Sequence, residues 1–180
     1  MRTDLLSPLE RLAAAGESVA IVLNTGDDFD TRLPVGWRRV APAGIAANSV
    51  AIAAPTKQDR QFVPNAIIQT YGFTFRPPAD LFDTPATELL RLGSSPGTVR
   101  RDGPALPQVT CSGSYIDPAS SVALWAECSY YLVGDTGAWW LIESIFTTTT
   151  HQREQLAEDL DALRTLTTAA VDRLRKAPSQ

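Results

Sequence analysis

The sequence predicts an α+β fold: a twisted, mainly antiparallel sheet flanked by helices, with one long helix towards the C-terminal end. Three observations lead there. Short β-branched and aromatic segments alternate with turn clusters through the middle of the chain. Two turns, Asp117-Pro118-Ala119-Ser120-Ser121 and Gly134-Asp135-Thr136-Gly137, fold the segment between about 109 and 146 into a three-strand meander. Finally, Leu156, Leu160, Leu163, Thr167, Ala170 and Leu174 recur at steps of four and three, which is one stripe of an amphipathic helix.

From the start of the chain, Ser7-Pro8-Leu9-Glu10 reads as a helix start. Ser7 caps, Pro8 fits the first helical position, Glu10 closes the capping box, and Gly16 stops the helix after about two turns. A strand follows over 18–23, then the acidic turn TGDDFD at 25–30. Its carboxylates Asp27, Asp28 and Asp30 lack the spacing and bidentate glutamate of a calcium loop, so a solvated turn is expected. The segment RLPVGWRRV (32–40) leads to strands over 48–54 and 64–75, with Pro55 and Pro64 bracketing the loop between them. A short helix follows Pro78 or Thr84-Pro85, carries Leu89, Leu90 and Leu92, and ends at Gly93. The stretch 94–107, rich in Pro and Gly, reads as a loop. In the C-terminal helix, Arg173, Arg175 and Lys176 complement the dipole, while Glu158, Asp161 and Arg164 fall on the solvent side of the stripe. The whole is expected to be one domain, 1–180, with its core over about 18–175 and the N-terminal helix within 1–17.

The meander can be given a register. A hairpin about the first turn sets Cys111 against Cys128, Gly113 against Ala126 and Tyr115 against Leu124. The second turn sets Tyr130 against Leu141, Cys128 against Glu143 and Ala126 against Ile145. Strand alternation checks this, because a slip by one residue exchanges the faces. One face then gathers Val109, Cys111, Gly113, Tyr115, Leu124, Ala126, Cys128, Tyr130, Leu132, Trp139, Leu141 and Ile145, interrupted only by Glu143. A carboxylate there needs a partner, for which Arg38 or Arg39 is the expected cation.

Cys111 and Cys128, the two cysteines of the chain, are thus cross-strand neighbours. Opposed Cα atoms lie about 4.5–5.5 Å apart, inside the range a disulfide tolerates. A bridge would close a loop of about 15 residues, worth roughly 3 kcal/mol on a chain-entropy account. Two buried thiols acting as small apolar side chains fit equally, and the redox compartment decides.

The opposite face carries Trp125, Tyr131, Trp140, Ile142 and Phe146, too much apolar surface to leave in water. Either a second layer, such as the helix at 8–15 or 85–92, covers it, or it forms a groove for an apolar ligand or a partner's segment. These five residues are the candidate contact surface.

Composition narrows the function. The chain has 180 residues, 44% hydrophobic and 20% charged, with formal net charge −4 and pI near 5.0. That balance lacks the basic footprint of a nucleic-acid binder, and the pairs Arg38-Arg39 and Arg100-Arg101 are too short to supply one. No apolar run reaches the roughly 18 residues of a membrane span. The N-terminal segment, interrupted by Asp4 and Glu10, does not read as a signal peptide, and no cysteine near it offers a lipid attachment site. A cytoplasmic protein is therefore expected, or an exported one whose targeting segment is absent from this sequence.

Catalytic machinery is sparse. His151 is the only histidine, so there is no multi-histidine metal site, and it reads as a cap or surface residue after four threonines. No G-x-S-x-G, P-loop or G-x-G-x-x-G motif occurs. Glu127 and Glu143 point to opposite faces, which makes a poor acid–base pair. No metal or cofactor is expected. The remaining enzymatic alternative is a small hydrolase or transferase using Glu143 or His151.

Leu33-Pro34-x-Gly36-Trp37, the run Val63-Pro64-Asn65-Ala66-Ile67-Ile68, the small-residue strand Ser112-Gly113-Ser114-Tyr115, the aromatic hairpin and the C-terminal helix together resemble the actinobacterial LpqN/LpqT-type proteins over about 18–175. That family is similar in fold to PsbP, an antiparallel sheet with helices packed against it. The resemblance implies a non-catalytic module binding a lipid or other apolar small molecule, a peptide or a protein partner. Members are mostly exported lipoproteins. Cytosolic relatives of the fold include adaptor-chaperones for apolar segments of secreted effectors, which is the second reading here. The resemblance carries over no catalytic residue. Within that frame Gly36 permits a tight turn, and Trp37 is expected to cover one end of the core.

Overall fold

The meander forms the middle of a larger sheet. A computed structural model describes residues 8, 11–12, 20–21, 33–40, 50–53, 62–78, 81–82, 89, 99–102, 108–134 and 138–176. Strands run β1 Ala20–Ile21, β2 Arg38–Val40, β3 Val50–Ala53, β4 Asn65–Phe73, β5 Val99–Asp102, β6 Gln108–Ile116, β7 Ala123–Gly134 and β8 Trp139–Thr149, followed by the C-terminal helix Ala157–Lys176. The order across the sheet is β2-β3-β4-β8-β7-β6-β5, with β1 also paired to β4, and every pairing is antiparallel. The architecture is α+β, as the sequence pattern requires.

The first hairpin has the expected register: Cys111 lies opposite Cys128, Gly113 opposite Ala126 and Tyr115 opposite Leu124. Asp117 organises its turn, accepting hydrogen bonds on its carboxylate from the Ser120 backbone N–H and hydroxyl, while Ser121 takes a left-handed φ of 58°. The second hairpin differs from expectation by two residues. Tyr130 faces Glu143, Cys128 faces Ile145, and Ala126 faces Thr147. The reason is the turn. β7 continues to Gly134, which pairs with Trp139, so the connection is shifted along the chain. A side chain at Gly134 would stand 2.8 Å from the Trp139 Cα and against the Ala138 carbonyl, so glycine permits this close approach. Because the shift is even, every side chain keeps its predicted face.

β7 is buried without interruption from Leu124 to Val133, which alternation alone does not explain. It lies inside the sheet and both of its faces are covered. On one face, Trp125, Tyr131, Val133, Ile142 and Phe146 pack with Leu160, Leu163, Leu166, Val171 and Leu174 of the C-terminal helix. On the other, Cys111, Cys128, Tyr130 and Leu141 pack with Leu12, Leu81, Phe82 and Leu89. Pro8, Arg11, Leu12 and Leu89 are helical, in the two segments expected to be helices. Leu12 and Leu89 pack on the cysteine face, however, and the C-terminal helix covers the aromatic one. Its buried stripe also includes Leu166 and Val171, wider than the sequence stripe.

Two further expectations change. The stretch 94–107 is not simply a loop, since β5 pairs there with β6, placing Arg100 opposite Thr110. Arg38 does not meet Glu143. It is exposed on β2 and pairs with Ala53, with two strands, β3 and β4, between it and β8, whereas the Tyr71 hydroxyl lies 3.4 Å from the Glu143 carboxylate. The Arg39 side chain and the acidic turn 25–30 lie outside the described residues.

Trp37 closes the end of the helix-side core. A turn from Pro34 to Trp37, closed by a 3.0 Å backbone hydrogen bond, has Gly36 at φ 86°, the conformation a type II turn demands at that position. The indole packs on Phe146 and donates to Asp159 at 3.0 Å in the first turn of the helix.

Candidate functional site

The helix does not lie flush along the sheet. Its first half and the turn before it stand off β6 and the start of β7, leaving a cleft of about 550 Å³. Pleating decides what lines it: Thr110 and Ser112 of β6 and Trp125 and Glu127 of β7 all point to the helix side, at the stretch the helix leaves uncovered. Helical spacing supplies Ala157, Leu160, Asp161 and Arg164 from above, and the preceding turn adds Arg153 and Glu154. The Thr149 hydroxyl accepts from the Gln152 backbone N–H at 3.2 Å, which fixes how that turn leaves β8.

Glu127 is 7% exposed and would be costly to bury alone. Arg164 reaches it with a two-point grip, Nε to Oε1 at 2.7 Å and Nη2 to Oε2 at 2.5 Å, and holds Asp161 with Nη1 at 2.6 Å. The bond to Glu127 is the main reason the guanidinium holds its proton more firmly than usual. Arg164 thus turns inward from the face on which the helical stripe places it. At the other end of the cleft, the Arg153 guanidinium lies over the Trp125 ring, 4.5 Å from its centroid, in a cation–π contact. The Thr110 and Ser129 hydroxyls are bonded at 3.0 Å. The cleft therefore combines a short apolar strip, Trp125, Ala157 and Leu160, with fixed hydrogen-bonding groups along its length.

The five aromatic-face residues divide. Trp125 borders the cleft. Tyr131, Ile142 and Phe146 are enclosed beneath the helix, and Trp140 is half-buried against the same cluster. The layer that covers the face also makes the cleft, at the edge where the covering stops. Glu143 is buried on the opposite face and His151 is exposed in the turn after β8, so the two do not share a site. Cys111 and Cys128 are buried opposite each other, and no disulfide joins them. Among the described residues, no three His, Cys, Asp or Glu side chains group as metal ligands, and no helix is long and apolar enough to cross a membrane.

A second cleft of about 470 Å³ lies on the cysteine side, between Arg76-Pro77-Pro78, Leu81, Phe82, Leu132 and Trp139. Sequence reasoning missed the first cleft because its walls come from elements far apart in the chain. The one available signal was Glu127, a carboxylate in an otherwise apolar or small-residue stretch of strand.

An open antiparallel sheet with a long helix packed across one face, and a polar-rimmed cleft between them, defines the structural class. Among solved structures the chain is similar to LpqN of Mycobacterium tuberculosis, a protein described as involved in cell envelope biogenesis. The TM-score is 0.68 with 14% sequence identity, covering 87% of this chain and 93% of that one. At that identity the likeness is one of fold, which is LpqN-like. No protein-family model matches the chain, and no curated protein matches it.

Proposed function

We propose that this chain is a non-catalytic binding module of the LpqN/LpqT kind, and that its ligand is an amphipathic small molecule held in the cleft beside Trp125. The observation that carries this reading is the cleft itself, about 550 Å³. That lies within the range of small-molecule sites, which pair an apolar wall with a few fixed polar groups. Trp125, Ala157 and Leu160 would take the apolar part. Ser112, Arg153 and the ordered Glu127–Arg164 pair would take the head. The fold shared with a cell-envelope protein supports the same reading.

Catalysis is disfavoured on this account. The buried carboxylate in the cleft is engaged by Arg164, and His151 is not among the residues lining it. The adaptor-chaperone reading draws on a different feature. Val35, Val63 and Ile116, the exposed large hydrophobics among the described residues, all fall at the end of the sheet where β2 and β4 begin and β6 ends.

The test is a filled cleft. Ala157 is exposed at the start of the helix, so Ala157→Trp occupies the cleft without disturbing the core. Binding of the anionic, apolar dye anilinonaphthalene sulfonate to the native protein is expected to saturate at one site and to weaken at least about tenfold in the variant. Unchanged dye binding with an unchanged melting curve would place the ligand elsewhere. Saturable binding lost instead on Val35→Ser, Val63→Ser and Ile116→Ser would favour the partner-segment reading.

A further inference from the structure

We propose that Cys111 and Cys128 form a reversible disulfide that fastens β6 to β7 directly behind the cleft, making the cleft's rigidity depend on redox state. The two are register partners on adjacent antiparallel strands, both nearly inaccessible to solvent. Directly opposed residues in such a pair lie within the separation that a disulfide spans, so bridging needs no change of register. Their neighbours give the bond its consequence. Cys111 stands between Thr110 and Ser112, and Cys128 follows Glu127, and all three flanking residues line the cleft. Ser129, on the other side of Cys128, holds the Thr110 hydroxyl. Next to the cysteines the strands alternate cysteine-face residues with the cleft residues Thr110, Ser112 and Glu127, so a covalent tie on one face restrains the other.

The chemistry needs a small-molecule disulfide as oxidant. One protein thiolate attacks it, forming a mixed disulfide and expelling one small thiolate. The second protein thiolate then attacks the protein sulfur of that intermediate and expels the other. Two electrons and two protons pass from the cysteines to the oxidant, which leaves as two thiols. Burial makes the first step slow, and the path to it is local. The thiols are covered by Leu12, Leu81, Phe82 and Leu89, so the oxidant reaches them when this cover lifts from the sheet face, a local opening that leaves the β6–β7 pairing in place.

The experiment equilibrates the intact protein in oxidised and reduced glutathione, traps it with acid and alkylation, and reads mass, melting and amide exchange. Neither dye nor ligand enters, so the outcome is separate from that of the cleft-filling test. The expected product is a monomer lighter by two hydrogens, with both thiols protected and Cys111 linked to Cys128 in peptide maps. It should melt at or above the dithiol form, with exchange at the Thr110 and Ser112 amides slowed at least about tenfold. Cys111→Ser and Cys128→Ser should each yield no bridged monomer. To exclude slow access alone, the chain is also refolded from denaturant in the oxidising buffer. Absence of the bridge there, a bridged form that melts below the dithiol, or unchanged exchange at Thr110 and Ser112 would each overturn the proposal.

Discussion

Arg164 is a helix-surface residue by its position in the stripe, yet its head group is spent on a strand carboxylate. Removing it leaves Glu127 buried with its charge unanswered, the costly way to break an ion pair. The arginine side chain is 41% exposed, so solvent recovers part of that cost. Arg164→Ala is expected to lower stability by about 2 kcal/mol, and Glu127→Gln to restore about half of it in the double variant, measured by urea unfolding. Asp117 gives a pH-dependent test. Its hydrogen bonds, first that from the Ser120 hydroxyl, hold its pKa below the usual 3.8. The depressed value means the contribution is fully present above the ordinary aspartate pKa and is lost as pH falls through the lowered one. Melting temperature followed from about pH 5 to pH 2 should drop less steeply in Asp117→Asn than in the native protein. Tyr115 has the opposite sign. Burial first, then the charges of Asp117 and Cys128, raise its pKa above 10.0, so its contribution holds below that value and fades above it. At this scale the sequence was a partial guide. The turn chemistry of Asp117 was legible because it is local, whereas the partners of Glu127 and Glu143 were not, since each depends on strands or helices far away in the chain.

Among elements, the C-terminal helix determines most. Leu163 is buried at the middle of its stripe, against the aromatic face. Leu163→Ala should cost about 3 kcal/mol in chemical unfolding, while Glu158→Ala on the exposed side should cost less than about 0.5 kcal/mol. Equal effects would mean that the helix is not the cover described. The stripe could be read from sequence because helical periodicity is a local property; which face of the sheet it covers could not, because both faces are apolar. The β7–β8 hairpin shows the same limit. Alternation settles which face each residue takes but is blind to a shift by two, and the shift was decided by the close approach at Gly134. Gly134→Ala should destabilise by about 1–3 kcal/mol, as a melting shift in the native protein, through the clash with the Trp139 backbone.

For the whole molecule, the long-range ties are the notable ones. β4 pairs with β8 along its entire length, from Asn65 opposite Thr147 to Phe73 opposite Trp139, and this joins the early strands to the later meander. Trp37 adds a second tie, from the turn before β2 to the first turn of the helix. Replacing it by Phe removes the indole donor and part of the ring that packs on Phe146. Trp37→Phe should therefore cost about 1–2 kcal/mol and leave the sheet intact by far-ultraviolet circular dichroism. The α+β class and the strand faces were legible from pattern. The strand order was not, since β8 lies between β4 and β7 through a pairing that no turn dictates.

The cover over the aromatic face also has an order in time. The helix follows in the chain the strands it shields, so during synthesis β7 and β8 emerge while Trp125, Tyr131, Ile142 and Phe146 still have nothing above them. At about 5–20 residues per second, the twenty residues of the helix take seconds to appear. For that interval the nascent chain has no layer from its own C-terminal helix over those aromatic side chains.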